Sequence, residues 1–286
     1  MSNILRLAVQ KKGRLSESSL SLLKECGLKF SNNDRKLKAV SSNFPVEFLF
    51  LRDDDIPDYV ASGVADIGIV GENEVSEKNK EVKRVKGLGF SKCRISLAIP
   101  KEIEYEGLSF FQNKKVATSY PVILQKFFDE NNINTEIHTI SGSVEIAPGI
   151  GLADAIFDIV SSGSTLISNG LKEVEKVFYS EAVLIANQDL SAEKQAILDK
   201  LLFRIEAVQQ AKKFRYIMLN APVSALPKIE QILPGVKSPT VTPLSTEGWV
   251  SLQAVIADDD FWDMIEEIKN AGGEDIISLP IDKMIK

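Results

Sequence analysis

The residues best suited to chemistry lie in one short stretch between positions 154 and 165. Asp154 and Asp158 belong to an apolar segment, and a strand would place both carboxylates on one face because strand side chains alternate. Ser161-Ser162-Gly163-Ser164-Thr165 follows, ahead of a predicted helix. Hydroxyls, backbone N–H groups and the positive end of that helix suit a phosphate, and a carboxylate just before them suits sugar hydroxyls. The pattern indicates a sugar phosphate site, although a Ser/Gly/Thr segment alone is also typical of a plain turn.

Three basic residues are candidates for binding further phosphates. Lys11, Arg14 and Arg52 each lie just after an apolar segment that is a predicted strand. A guanidinium stays charged and binds phosphate through two N–H groups, which favours the arginines. Three aspartates at 53–55 follow Arg52, and they could pair with it, bind a metal or cap the next helix. Capping by the second or third of them is the interpretation we favour.

Short strands and helices alternate along the first two thirds of the chain, which indicates an α/β fold with parallel strand pairs. We place residues 1–92 plus 177–212 in a first lobe and residues 93–176 in a second. One long strand, Val177–Ala186, is predicted to return the chain to the first lobe, and Ser16 is the predicted N-cap of the first helix. Two lobes of this kind leave a cleft, and ligands bind at the carboxyl ends of parallel strands.

The pattern changes in residues 213–286, where strands and helices are predicted in the order β-α-β-β-α-β. This order is typical of a ferredoxin-like (ACT-like) module. The sequence of this module contains no cluster of residues typical of a catalytic site. Small modules of this shape often bind a regulator or contact another subunit, an analogy from fold alone.

Composition excludes several classes of protein. The 286 residues include 34 Lys and Arg against 40 Asp and Glu, giving a formal charge of −6, which argues against a nucleic-acid binder. No segment approaches the roughly 20 apolar residues that span a bilayer, and the first apolar run is too short for a signal peptide. Cys26, Cys93 and His138 are too few for a disulfide framework or a structural zinc site. We therefore expect a cytoplasmic protein that binds neither nucleic acid nor membrane.

The segment Glu145–Leu166 resembles the signature of ATP phosphoribosyltransferase, the enzyme family that opens histidine biosynthesis. The matching residues are Glu145, Gly151, Ala153, Ile156, Asp158, Ser162, Gly163, Thr165 and Leu166. The resemblance extends to residues 12–15, 52–57, 66–73, 117–121, 216–222 and 238–244. The C-terminal module resembles that of the long form, which has its own histidine-sensing domain and no separate regulatory subunit. In one departure, Gln10-Lys11 replaces the Pro-Lys of many relatives, which leaves open whether Lys11 or Lys12 faces the site.

This resemblance implies a reaction between two polyanions. Adenine N1 of ATP attacks the anomeric carbon of phosphoribosyl pyrophosphate (PRPP), and pyrophosphate leaves with inversion. The protein must hold the substrates together, orient N1 and neutralise the leaving group. The implied cofactor is Mg²⁺, held mainly by substrate phosphates, with Asp158 as its candidate protein ligand.

The resemblance also assigns expected roles to residues. PRPP would bind Asp154, Asp158, Ser161, Ser162, Gly163, Ser164 and Thr165. ATP would bind Lys11, Arg14, Arg52, Thr118, Ser119 and Tyr120, and the catalytic candidates are Arg14, Arg52 and Asp158. Inhibitory histidine would contact Asn220, Ser238 and Thr240.

The expected assembly is a homo-oligomer of dimers and hexamers, with AMP as a further ligand. Two alternatives from other classes stay open. One is a two-lobed small-molecule-binding protein, and the other is a catalytically inactive amino-acid sensor.

Overall fold

The computed structural model describes residues 4–31, 36–233 and 238–285. The chain divides into two compact units, the first comprising residues 1–21 and 28–197 and the second comprising 22–27 and 198–286. Within the described residues, no helix is both long and apolar enough to cross a membrane.

The first sheet of unit 1, with its helices, is called lobe I. Its strands are β1 (Leu5–Gln10), β2 (Lys38–Val40), β3 (Val46–Leu51), β4 (Ile67–Gly71), β5 (Lys83–Gly87) and β11 (Ala182–Ala186). Its helices are α1 (Arg14–Glu25), α2 (Ile56–Ala61), α3 (Glu72–Lys78) and the start of α6 (Ala192–Ala211). The strand order is β2-β3-β1-β4-β11-β5, with β3, β1 and β4 parallel. These central strands are buried apolar runs, as expected for parallel strands covered on both faces.

The second sheet of unit 1, with its helices, is called lobe II. Its strands are β6 (Cys93–Pro100), β7 (Lys115–Thr118), β8 (Glu136–Thr139), β9 (Ala155–Val160) and β10 (Leu171–Ser180), and its helices are α4 (Pro121–Glu130) and α5 (Ser164–Ser168). The strand order is β10-β6-β9-β7-β8, with β9, β7 and β8 parallel. Phe111, Phe128 and Phe157 are fully buried in the core beneath α4.

The chain crosses between the lobes at two neighbouring places. The predicted strand Val177–Ala186 is wrong, because β10 ends at Ser180 in lobe II and β11 begins at Ala182 in lobe I. The crossing therefore falls at Glu181, not at residue 177 as the predicted lobe boundary has it. Leu88 N donates to Ala182 O at 2.8 Å, and Ala182 N donates to Phe90 O at 2.9 Å. Backbone hydrogen bonds thus join the two crossing segments.

Helix α1 begins earlier than predicted. The helix starts at Arg14, and Glu17 N donates to Gly13 O at 3.1 Å, so Ser16 is not the N-cap. Gly13 has φ +103°, a backbone conformation that favours glycine and ends the turn after β1. Ser16 lies instead on the buried side of the helix.

Unit 2 contains the predicted β-α-β-β-α-β module. Its elements are β12 (Phe214–Pro222), α7 (Leu226–Ile232), β13 (Thr240–Pro243), β14 (Trp249–Ala257), α8 (Phe261–Asn270) and β15 (Glu274–Pro280). The antiparallel order β13-β14-β12-β15 confirms the ferredoxin-like expectation. One face of this sheet packs against α7 and α8 through a core that includes Ile229 and Ile268.

Candidate functional site

The loop 161–165 directly follows the parallel strand β9 and is largely exposed. Gly163 has φ +83°, which allows the tight turn into α5. The Oγ atoms of Ser162 and Ser164 are 3.0 Å apart, and Ser164 N donates to Ser162 Oγ at 3.4 Å. The predicted helix after the loop is α5, which has only 5 residues and therefore a weak dipole. Hydroxyls and loop amides are therefore the groups available for an anion.

Asp158 lies three residues before this loop, on β9. Its Oδ1 accepts a hydrogen bond from Ile159 N at 2.8 Å. Burial, together with the nearby Glu145 carboxylate, raises the pKa of Asp158 to about 6. A half-buried carboxylate with one backbone donor can accept more hydrogen bonds or share a cation.

Asp154 lies just before β9, away from the loop. Its Oδ2 accepts from Lys115 N at 2.8 Å, and its Oδ1 is 3.9 Å from Lys114 Nζ. Four residues of extended strand separate it from Asp158, a distance of about 13 Å. The structure thus brings Asp158, but not Asp154, close to 161–165.

The basic candidates of lobe I follow the carboxyl ends of its parallel strands. Lys11 and Arg14 follow β1, and Arg52 follows β3. Gln10, which stands where many relatives have proline, joins the two strand ends. Its Nε2 donates to Asp53 Oδ2 at 3.1 Å. Arg14 is exposed at the first turn of α1. Parallel β1 and β3 therefore place these cations at the same edge of the sheet.

Arg52 forms the local ion pair that the sequence left open. Its Nε and Nη2 donate to Asp54 at 3.0 and 3.2 Å. Neither Asp54 nor Asp55 makes a side-chain capping bond, so the capping expectation is wrong for both. The Arg52 side chain is 79% exposed, and a surface pair of this kind is weak. Arg52 can therefore leave Asp54 and bind a phosphate with only a small loss of free energy from the broken ion pair.

A cleft of about 590 Å³ lies between the lobes and is lined by Arg52, Asp54, Glu74, Ser119 and Tyr120, among others. Ser119 Oγ donates to Ile140 O at 2.7 Å, and Thr118 Oγ1 accepts from Tyr120 N at 2.8 Å. Thr118 is fully buried, so it shapes the strand end rather than lining the cleft.

A buried polar network joins the lobes and was not predicted. Tyr120 Oη donates to Glu74 Oε1 at 3.2 Å, and Asn73 Nδ2 donates to the same oxygen at 2.9 Å. Ser180 Oγ donates to Asn73 Oδ1 at 2.8 Å. Burial, together with the Asp53 and Asp54 charges, raises the pKa of Glu74 to about 7. The sequence shows only that Glu74 is an acidic residue in the first turn of a helix, and this pattern is equally typical of a solvated helix start.

Glu77, one turn after Glu74, makes a second contact between the lobes. Its two carboxylate oxygens accept from Val122 N at 2.9 Å and Ile123 N at 3.0 Å. A carboxylate at this position satisfies unpaired N–H groups of the first turn of α4. Helix α3 therefore holds residues 120–123 of lobe II at two points.

The regulatory candidates lie in unit 2, where Asn220 is half-buried. Asn220 Nδ2 donates to Asp275 Oδ2 at 3.1 Å. Thr240 is on β13, and the register through β14 places it on the same sheet face as Asn220. Ser238 and Thr240 are both exposed.

Among the described residues, no three His, Cys, Asp or Glu side chains form a group that could hold a metal. Asp158 and Glu145 are nevertheless close enough for one charge to affect the other. Two carboxylates fit an ion held mainly by substrate oxygens, since Mg²⁺ commonly takes one or two protein carboxylates.

Comparison with known proteins places this geometry in a family. Residues 52–207 match the family model "HisG: ATP phosphoribosyltransferase", and residues 211–283 match "HisG, C-terminal domain". The ATP phosphoribosyltransferase of Cytophaga hutchinsonii is 60% identical over 286 residues, covering all of both chains. That of Parabacteroides distasonis is 60% identical over 282 residues, covering 99% of this chain and all of its own.

Solved structures agree with this assignment. The ATP phosphoribosyl transferase (HisG:HisZ) complex from Thermotoga maritima aligns with TM-score 0.63 and 28% identity, covering 71% of this chain and 96% of that one. Tv2483 bound to L-arginine aligns with TM-score 0.51 and 13% identity over 74% of this chain and 87% of that one, a likeness of fold alone. The chain belongs to the ATP phosphoribosyltransferase family, in its long form with a C-terminal domain.

Proposed function

We propose that this chain transfers the 5-phosphoribosyl group of PRPP to N1 of the adenine of ATP. The N1 lone pair forms a bond to the anomeric carbon, the bond from that carbon to the pyrophosphate oxygen breaks, and pyrophosphate leaves with inversion. The product is N1-(5-phosphoribosyl)-ATP, the first intermediate committed to histidine. The observation behind the proposal is half-buried Asp158 directly before the exposed hydroxyl loop, within a chain that matches the family along its length.

PRPP is assigned to the end of β9. The loop 161–165 holds the 5-phosphate through amides and hydroxyls, and Asp158 accepts hydrogen bonds from the ribose hydroxyls. Asp154 is a weaker assignment because Lys115 and Lys114 already occupy its carboxylate. Fixing the sugar in this way orients the anomeric carbon for in-line attack.

ATP is assigned to the opposite side of the cleft. Lys11, Arg14 and Arg52 hold its triphosphate or the departing pyrophosphate, with Arg52 released from Asp54. Ser119 and Tyr120 face the adenine, and Thr118 supports them from beneath. Magnesium bound by the substrate phosphates, with Asp158 nearby, would spread the negative charge that develops on the leaving group.

The direct test is pyrophosphate release by the purified protein supplied with ATP, PRPP and Mg²⁺. We expect release only when both substrates are present, and we expect the nucleotide product to gain one phosphoribosyl mass. A two-lobed binding protein or an inactive sensor would bind a ligand and release no pyrophosphate, and that outcome would overturn the proposal.

Thr165→Ala tests the phosphate loop. Loss of one hydroxyl donor to a charged ligand should raise the KM for PRPP about three- to tenfold, because such a hydrogen bond contributes on the order of 1 kcal/mol. The KM for ATP should not change. Ser168→Ala, at the other end of α5, is the matched control. Equal KM values for PRPP in the two variants would contradict the assignment of the loop to the PRPP site.

Histidine inhibition is assigned to unit 2 at Asn220, Ser238 and Thr240. We further propose that the chain acts in the cytoplasm as a homo-oligomer without a separate regulatory subunit, with AMP as an additional ligand. The presence of its own C-terminal domain at residues 211–283 supports this proposal. Feedback then couples two distinct sites of one chain.

Asn220→Ala tests the regulatory assignment. It should raise the histidine concentration for half-inhibition about tenfold, because one polar contact to a charged ligand is lost, and leave the uninhibited rate unchanged. Gln231→Ala, an exposed change on α7, is the control. Unaltered inhibition in a folded Asn220 variant would move the histidine site elsewhere.

A further inference from the structure

Arg94 occupies the strand position opposite the residue that precedes the loop 161–165. In the antiparallel β6–β9 pair, Arg94 lies opposite Val160 and Ser96 lies opposite Asp158. Directly opposed residues project from the same face of a sheet. Arg94 and Ser96 therefore share the face of β6 and β9 that presents Asp158.

The Arg94 guanidinium makes three hydrogen bonds in two directions. Its Nε and Nη2 donate to the two carboxylate oxygens of Glu173 on β10, at 2.5 and 2.6 Å. Its Nη1 donates to the backbone carbonyl of Ser161 at 3.2 Å. Ser96 Oγ donates to Glu173 Oε1 at 2.6 Å, so the carboxylate is itself held in place.

This arrangement fixes the direction of the first peptide of the loop. A trans peptide is planar, so a carbonyl held toward Arg94 turns the N–H of the next residue, Ser162, to the other side. A loop that binds an anion must turn its carbonyls away and present its N–H groups. The Arg94 guanidinium holds this carbonyl, which would repel phosphate if it faced the ligand.

The charge of Arg94 is already matched. The side chains of Arg94 and Glu173 are only 24% and 20% exposed. The guanidinium of Arg94 bonds both carboxylate oxygens of Glu173. The Arg94 guanidinium lowers the pKa of Glu173, which keeps that carboxylate ionised. Arg94 therefore acts through geometry more than through attraction for the ligand.

We infer that Arg94, fixed by Glu173 and Ser96, is a positioning residue that presets the loop 161–165 for the 5-phosphate of PRPP. This inference rests on the proposed function of that loop. Arg94 is expected to affect the binding of phosphoribosyl ligands and not of ATP, because it contacts the loop at the Ser161 carbonyl.

The test compares Arg94→Gln and Arg94→Lys with wild type in the full-length protein. Both should raise the KM for PRPP about tenfold and weaken the binding of ribose 5-phosphate by a similar factor, with kcat and the KM for ATP within about twofold. Lysine keeps the charge but cannot bond Glu173 at two points and Ser161 together, so it should not restore the KM. Ser96→Ala, a milder change that preserves the ion pair, should raise the KM for PRPP about twofold to threefold.

Arg84→Gln is the matched control, because Arg84 bonds Glu72 at 2.7 Å and Ser76 Oγ at 3.5 Å in lobe I, away from the loop. The inference is supported if the Arg94 variants change PRPP binding and Arg84→Gln does not. It is overturned if the Arg94 variants shift the KM of both substrates equally, as general destabilisation would. It is also overturned if they leave PRPP binding unchanged while Thr165→Ala weakens it. If Thr165→Ala has no effect either, the loop assignment itself fails.

Discussion

Asp158→Asn should lower kcat/KM for PRPP by about a hundredfold or more. The carboxylate lies three residues before the loop, and we propose that it accepts from two ribose hydroxyls. Two hydrogen bonds to a charged acceptor contribute on the order of 3 kcal/mol together, which corresponds to about two orders of magnitude. Steady-state kinetics with PRPP as the varied substrate measure the change.

The same group predicts a pH dependence with a definite sign. The pKa of Asp158 is about 6, so its carboxylate is lost as the pH falls through 6. In wild type, kcat/KM for PRPP should decline about tenfold per pH unit below that value, because this parameter reports the free enzyme. Glu145 and Tyr120 are the other titratable groups that interact with it.

Asp154→Asn is the comparison for Asp158→Asn. It alters a carboxylate four residues away whose partners are Lys115 and Lys114, so we expect a change of about threefold or less. Asp158→Asn should also flatten the acid limb of the pH profile, since an amide does not titrate there. An acid limb that persists unchanged in Asp158→Asn would assign it to another group.

Glu74→Gln should stabilise the protein at alkaline pH. Burial raises the pKa of Glu74 from 4.5 to about 7, so the folded state binds its proton more tightly than the unfolded state does. Stability from this group is therefore full below about 4.5 and is lost as the pH rises through 7. Above pH 8 the buried carboxylate costs about 3 kcal/mol, since each pKa unit is about 1.4 kcal/mol.

Thermal unfolding between pH 5 and 9 tests this prediction. Glutamine retains an oxygen to accept from Tyr120 and Asn73. The difference in unfolding temperature between the variant and wild type should therefore be small at pH 5 and should grow in favour of the variant by pH 8. Glu72→Gln changes a less buried carboxylate on the same turn, paired with Arg84, and should show no pH-dependent gain. A constant difference between wild type and Glu74→Gln across the range would contradict the raised pKa.

Much of the fold could be predicted from local sequence. Apolar runs bounded by glycine and proline located most strands, and the C-terminal β-α-β-β-α-β order was confirmed. Strands β2 and β5 were missed, since both are short edge strands in which basic residues interrupt the apolar pattern. The single strand Val177–Ala186 was wrong because an unbroken apolar run does not reveal that its two halves pair in different sheets.

The candidate site was predictable only where its residues are consecutive. The loop 161–165 and Asp158 form one segment, so their proximity follows from chain connectivity. Arg94 reaches Ser161 across 67 positions, and Tyr120 reaches Glu74 across 46, through strand and lobe pairings that no local pattern encodes. Asp154 was grouped with Asp158 by the alternation of strand side chains, which fixes the face but not the distance along it.

The paired crossings near Ala182 determine which motions the lobes can make. The two crossing segments are joined by the Leu88–Ala182 and Ala182–Phe90 hydrogen bonds, so the lobes are linked at one narrow place. We therefore expect the lobes to rotate about this connection as a hinge, without sliding past each other. Such a rotation would separate Glu77 from Val122 and return the two in the same alignment. Under the proposed assignment, each closure would then bring the ATP side and the PRPP side of the cleft together in one reproducible orientation.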